Sequence, residues 1–257
     1  MLKSSSKLIT LLFIVILLAI ASVNISMQSP AGLLTTPDSL SYLDIARNID
    51  QGNGALASNR TLQATALGDN AYIEQRLWPK LYPIVLSVFI ERNYGTSAVR
   101  SLSALLLTFT ALLVFFIVRR FSSNVLAFLT AVLFMHTLPI NTVYAFVWSE
   151  TLFIPLFLLF SYAAFRYGEL QINQAHLIAA YSWLAIFCLS LLGLAYTRYI
   201  GIGMVLVLLP LLLISVKTAK SIAACLLAGL ILSIGIGAML YGNYQISGSI
   251  SGGVRQV

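Results

Sequence analysis

The residues with the clearest chemical potential are those of Pro37-Asp38-Ser39-Leu40-Ser41-Tyr42-Leu43-Asp44-Ile45-Ala46-Arg47-Asn48-Ile49, a polar, acid-bearing helix candidate directly behind an apolar run of membrane-spanning length. Thr36 is placed to cap that helix with Pro37 in its first turn, which puts Asp38 at the positive end of the helix dipole, a favourable place for an anion. A carboxylate held there can serve as a general base towards a hydroxyl group brought to the membrane surface. The same position is also the ordinary one for an acid that only pairs with the dipole. Asp44 lies six residues on, about 600° around a helix that turns about 100° per residue, and is expected to be solvated, off the Asp38 face. Of the cations expected on the outer side, Arg76, Lys80, Arg100 and Arg198 suit a phosphate group, because a guanidinium fork or an ammonium in a partly dry site stabilises phosphate oxygens. Lys80 and Arg198 are the favoured pair. Glu150 enters an apolar run, where an acid is costly and tends to mark a site, although Trp148, Glu150 and Arg198 would also serve as interfacial anchors. His136, alone beside Pro139, reads as a packed or interfacial residue.

The elements that must hold these groups are membrane helices. With 59% hydrophobic and only 9% charged residues over 257 positions and a mean hydropathy of +0.92, the chain is too apolar for a soluble domain. Seven runs are long enough to cross a bilayer: about 8–26, 101–118, 124–140, 143–165, 176–196, 199–216 and 220–241. The first continues to about Ile25 and is read as a span, not a cleaved leader. A cytoplasmic N-terminus gathers Lys3, Lys7, Arg119, Arg120, Arg166, Lys217 and Lys220 into short inner segments, with Glu169 their one acidic companion. The other acids then fall outside. The net charge of +7 is dispersed along the chain, which excludes a nucleic-acid-binding face. Cys188 and Cys225 both fall inside spans as small apolar fillers, without disulfide or zinc spacing.

The first outer loop, residues 27–100, holds the one large extramembrane segment. Its first helix is expected to stop near Gly52-Asn53-Gly54, and 55–75 reads as extended or irregular chain. Leu81–Ile90 is apolar but for Ser87 and too short to cross, so it reads as a second helix lying in the interface. Gly229, Ser233 and Gly237 have the spacing of a helix-packing stripe. Asn24-Ile25-Ser26 and Asn59-Arg60-Thr61 match glycosylation sequons, a cheap pattern.

Asp38 followed by Tyr42, Ala46 and Gly52 resembles the D-x(3)-Y-x(3)-A…G pattern of polytopic GT-C glycosyltransferases, the group that includes protein O-mannosyltransferases and aminoarabinose transferases. Pro79-Lys80-Leu81-Tyr82-Pro83 is similar to the P-P-L-Y-P that opens that family's second interfacial helix. Ser149-Glu150 and Thr197-Arg198-Tyr199-Ile200-Gly201 resemble later landmarks, so the likeness runs from Met1 to about Tyr241. The sequence departs from the pattern where Ser39 replaces a second acid and Lys80 replaces the second proline. The chain is also shorter than these enzymes usually are.

The resemblance implies transfer of a sugar from a polyprenyl-phosphate carrier to an extracytoplasmic acceptor. It implies that Asp38 is the base or, as in some members, a ligand of a divalent metal ion. Lys80, Glu150, Arg198 and Tyr42 are then the substrate-binding residues.

The expectation is therefore an all-α polytopic membrane helix bundle with about seven transmembrane helices and two interfacial helices in the first outer loop. It is a single membrane domain over 1–257 with an extracytoplasmic tail at 242–257, and its partners are the lipid bilayer and a polyprenyl-phosphate-linked sugar. The expected location is a bacterial inner membrane. The rival readings are a transporter, for which Pro155 and Pro210 interrupt spans without any mid-span charge, and a non-catalytic fragment or scaffold.

Overall fold

The computed structural model describes residues 2–58, 72–74, 79–90, 97–172, 177–207, 219–248 and 250. The expected all-α polytopic membrane bundle is what these residues form. In chain order the helices are α1 (Leu2–Gln28), α2 (Pro37–Asp50), α3 (Leu81–Phe89), α4 (Ser97–Arg119), α5 (Asn124–Met135), α6 (Leu138–Ala145), α7 (Glu150–Ile172), α8 (Leu177–Thr197) and α9 (Ala219–Ser247), with a 3-10 helix at Tyr199–Val207 between the last two. A small two-stranded ribbon pairs β1 (Leu56–Ser58) with β2 (Tyr72–Glu74). That ribbon falls in the stretch expected to be extended.

Among the described residues five helices are long and apolar enough to cross a membrane: Leu8–Gln28, Ser97–Arg119, Glu150–Gln171, Ile178–Thr197 and Ser221–Gln245. The bent pair α5 and α6, meeting at 59°, makes six if it counts as one span. The expected seven is corrected in two places, and a third run is described only in part. The run 124–140 breaks at His136 and Thr137, because Pro139 stands in the first turn of α6, where its missing N–H is harmless but from which it cannot continue α5. The run 143–165 divides too. Its first residues finish α6, Phe146–Ser149 are not helical, and a new helix starts at Glu150. The run 199–216 is a 3-10 helix of nine residues as far as Val207, which at about 2 Å per residue covers roughly 18 Å. Its remainder lies outside the described residues.

The chain divides into two compact units, Met1–Ile73 with Pro83–Pro155, and Glu74–Tyr82 with Leu156–Val257. In the first, α4 packs against α1 and α5. Ala21, Ala111, Ala127 and Ala131 are fully buried there, and residues this small let helix backbones approach closely in a membrane. Phe13 stacks on Phe128 at 4.5 Å and meets Phe115 edge-on. Asn24, expected at most to match a sequon, is buried in α1 and donates to Asn141 Oδ1 at 3.0 Å, which ties α1 to α6.

The second unit packs α9 on α8, with Ile236 and Met239 against Ala195, while Cys225 of the same buried stripe meets Tyr167 Oη of α7 at 3.1 Å. The expected stripe of Gly229, Ser233 and Gly237 is not the packed face: Ser233 is exposed, and a side chain at Gly237 would meet nothing within 4 Å. The close approach is two residues from Ser233 and from Gly237, at Gly235, where an added Cβ would stand 2.6 Å from Leu192 Cδ2 and whose carbonyl accepts from Tyr196 Oη at 2.9 Å. Both cysteines are buried and neither forms a disulfide.

Candidate functional site

The site is built around the first turn of α2. Thr36 adopts an extended conformation and accepts from the Ser39 amide, while the Ser39 side chain accepts from the Thr36 amide. This reciprocal capping box satisfies two helix-end donors at once. Pro37 follows in the first helical position, and Asp38 sits half-buried in the first turn. At the other end, Gly52 takes φ +79°, open only to glycine at little cost, and Asn48 donates to the Leu56 carbonyl at 2.9 Å. The helix thus begins and ends where its caps and glycines place it.

The spacing of Asp38, Tyr42 and Ala46 has a geometric meaning. Residues four apart lie about 40° from one another around a helix, so the three share one face. Tyr42 and Ala46 are buried on that face, and Asp38 stands one turn beyond Tyr42. Asp44, on a different face, is half-buried rather than fully solvated as expected.

A second segment is stitched to this helix. Leu34 and Phe146 form a parallel bridge, with Leu34 N donating to Ala145 O at 2.8 Å and Val147 N donating to Leu34 O at 3.1 Å. Trp148 Nε1 donates to Thr36 Oγ1 at 3.1 Å, and the Trp148 ring stacks on Phe146 at 4.5 Å. Trp148 is therefore a clamp on the α2 cap. Tyr42 Oη donates to Ser149 Oγ at 3.3 Å, and Ser149 Oγ donates to Glu150 Oε2 at 3.4 Å. The hydroxyl relay links Tyr42 to Glu150, two of the residues singled out by the sequence, through one that was quoted only as part of a motif. Two helix N-termini, each with an acid in its first turn, are held together by these bonds.

Replacing Thr36 by Ala removes the acceptor for both the Ser39 amide and the Trp148 indole. The expected loss is about 1–2 kcal/mol of stability, read as a lower melting temperature of the purified protein, with Thr36→Ser close to the parent. Equal melting of all three proteins would show that the cap contributes nothing.

The remaining candidates are described within their own surroundings. Lys80 is half-buried and precedes α3, behind buried Pro79. Within α3, Tyr82 and Leu86 are buried while Ile84 and Val88 are exposed, and nine residues at about 1.5 Å each are too few to cross a bilayer. Arg198 is half-buried in the tight turn that ends α8, its amide donating to Leu194 O at 2.9 Å and its carbonyl accepting from Gly201 N at 2.8 Å. Arg100 donates to Pro30 O at 3.1 Å. His136 is exposed at the bend between α5 and α6. Arg76, His176 and the Asn59 sequon lie outside the described residues. Among the described residues no three His, Cys, Asp or Glu side chains gather to hold a metal ion.

Sequence reasoning missed Thr36–Trp148, the Leu34–Phe146 bridge and the role of Ser149. Only the Ser149-Glu150 pair carried a local signal, as the start of a helix.

A chain of this kind, an all-α polytopic bundle with acids at two joined helix N-termini, is similar in fold to a known membrane enzyme. In comparison with solved structures it matches the S. cerevisiae protein O-mannosyltransferase Pmt1-Pmt2 complex bound to the sugar donor, with a TM-score of 0.61 and 16% sequence identity. The match covers 89% of this chain and 32% of that one, so this chain spans about a third of its length. At that identity the likeness is one of fold. No protein-family model matches the chain, and no curated protein matches it.

Proposed function

We propose that this chain is a membrane glycosyltransferase of GT-C type, or the N-terminal half of one, that moves a sugar from a polyprenyl-phosphate carrier to an extracytoplasmic hydroxyl acceptor. The observation that carries the reading is the placement of Asp38. It stands half-buried in the first turn of α2, one turn from a tyrosine clamped to Ser149-Glu150, in a fold similar to that of a protein O-mannosyltransferase.

In this reading the N-terminus is cytoplasmic, α2 and α3 lie in the outer interface, and the membrane is a bacterial inner membrane. The acceptor hydroxyl oxygen attacks the anomeric carbon and its proton passes to the Asp38 carboxylate. The bond from that carbon to the phosphate oxygen breaks, and polyprenyl phosphate leaves with the bonding electrons. Lys80 and Arg198 are assigned to phosphate oxygens from the sequence pattern, and that is the charge which builds as the bond breaks. Glu150 and Tyr42 are assigned to substrate binding, Glu150 by shaping the cleft.

The reading is tested with the full chain in nanodiscs against a panel of polyprenyl-phosphate sugars, measuring donor binding and product formation. Saturable binding of one donor together with a glycosylated product supports it. Substrate flux across proteoliposomes without any product would replace it by transport.

A further inference from the structure

Helix α7 contains Pro155, and a proline has no amide hydrogen to give the carbonyl four residues earlier. That carbonyl belongs to Thr151, which is buried next to Glu150. A carbonyl without a donor is costly in apolar surroundings. Here Tyr144 supplies the donor: its Oη reaches Thr151 O at 3.2 Å.

Tyr144 is itself held for that purpose. Its side chain is completely buried, and Thr110 Oγ1 lies 2.6 Å from its Oη. A phenol has one proton, as has the Thr110 hydroxyl, which also lies 2.8 Å from Leu106 O; the phenolic hydrogen reaches Thr151 when Thr110 turns its own proton from Leu106 to Tyr144. Ser103 Oγ donates to the Tyr144 carbonyl at 2.7 Å, near the end of α6, where the last carbonyls lack helical donors. Ser103 and Thr110 are seven residues apart on α4, two turns along one face. One face of α4 therefore holds both the backbone and the phenol of Tyr144.

Thr151 in turn sets the residues before it, because its Oγ1 donates to Trp148 O at 2.7 Å. The first turn of α7 is gripped twice, by Tyr42 at Ser149 and by Tyr144 at Thr151. We propose that Tyr144 is a positioning residue for the Ser149-Glu150 turn, acting by giving the Thr151 carbonyl the hydrogen bond that Pro155 withholds. The proposal rests on the reading of Glu150 as part of the transfer site.

If the phenol stands in for a missing amide, restoring the amide makes the phenol dispensable. Tyr144→Phe removes only the hydroxyl, and Pro155→Ala returns a backbone donor to Thr151. The full chain carrying Glu150→Cys is reconstituted in nanodiscs and labelled with a membrane-impermeant maleimide, against a parent background in which Cys188 and Cys225 are buried. Tyr144→Phe is expected to change the labelling rate at position 150 by about fivefold or more with Pro155 present, and by less than about twofold when it is combined with Pro155→Ala. An equal change in both backgrounds, or none in either, overturns the proposal. If the Tyr144→Phe chain does not fold, recovery of folding by Pro155→Ala supports it, and failure of both chains alike overturns it.

With Glu150 in place, Tyr144→Phe is expected to lower kcat with little effect on KM, and Pro155→Ala to restore it. A parent chain inactive on every donor removes the glycosyltransferase reading. The labelling at position 150 needs no substrate and still decides the role of Tyr144.

Discussion

Replacing Asp38 by Asn is expected to lower sugar transfer by at least about a hundredfold, the scale on which a positioned general base contributes, while the protein stays folded and inserted. The amide has nearly the shape of the carboxylate but does not accept a proton at neutral pH. The fold should survive because α2 is capped by Thr36 and Ser39, not by Asp38. A negative charge near a helix N-terminus contributes about 0.3–1 kcal/mol before solvent screening. Transfer of a labelled sugar in nanodiscs reads the first effect, and a melting curve reads the second. Asp44→Asn supplies the contrast, since Asp44 lies on the same helix about 120° around it from Asp38 and should leave transfer unchanged. Undiminished turnover by Asp38→Asn, or an equal loss from Asp44→Asn, would remove Asp38 from the role of base.

Much of what surrounds Asp38 was legible because it is local. Thr36, Pro37 and Gly52 act on the backbone within a turn of their own positions, so the bounds of α2 follow from residue types and spacing. Leu81–Phe89 was legible for a similar reason, an apolar run too short to span. The misreadings have the opposite origin. Phe146, Val147 and Trp148 are as apolar as the helices on either side, and hydropathy alone cannot show that they leave the helix to bridge Leu34 more than a hundred residues away. The bend at His136 and Thr137 was hidden in the same way, although Pro139 was a local sign of it. On α9, small residues at every fourth position suggested a packing face, but the buried stripe follows Cys225, Ala228, Leu232, Ile236 and Met239, set by which side of the helix meets α7 and α8. The Tyr42–Ser149–Glu150 relay depends on that kind of long-range pairing as well. Three of the site candidates, Asp38, Tyr42 and Glu150, could be named from the sequence, but the bonds that join the latter two could not.

Gly201→Ala is expected to cost at least about 3 kcal/mol, at the upper end of what overpacking does. A Cβ at this buried position would stand 2.4 Å from the Leu194 carbonyl carbon, 2.5 Å from its oxygen and 2.6 Å from the Ala195 nitrogen. All three are backbone atoms, so no rotamer change relieves the overlap and the end of α8 must move. The Leu194 carbonyl is also the acceptor of the Arg198 amide, which means that the displaced group is the one that holds Arg198 in its turn. Packing beyond the turn moves with it, since Tyr199, Ile202 and Val205 close over Ala195, Ile236 and Met239, and Tyr199 Oη accepts from Asn243 at 3.0 Å. Gly203→Ala is the matched control: Gly203 is exposed and an added Cβ meets nothing within 4 Å, so it should melt within about 1 kcal/mol of the parent. Thermal unfolding of the three purified chains in one detergent compares them directly. Gly201→Ala melting with Gly203→Ala would mean that the chain does not turn this tightly after α8, and the Thr197-Arg198-Tyr199-Ile200-Gly201 segment would lose the physical reason for its glycine.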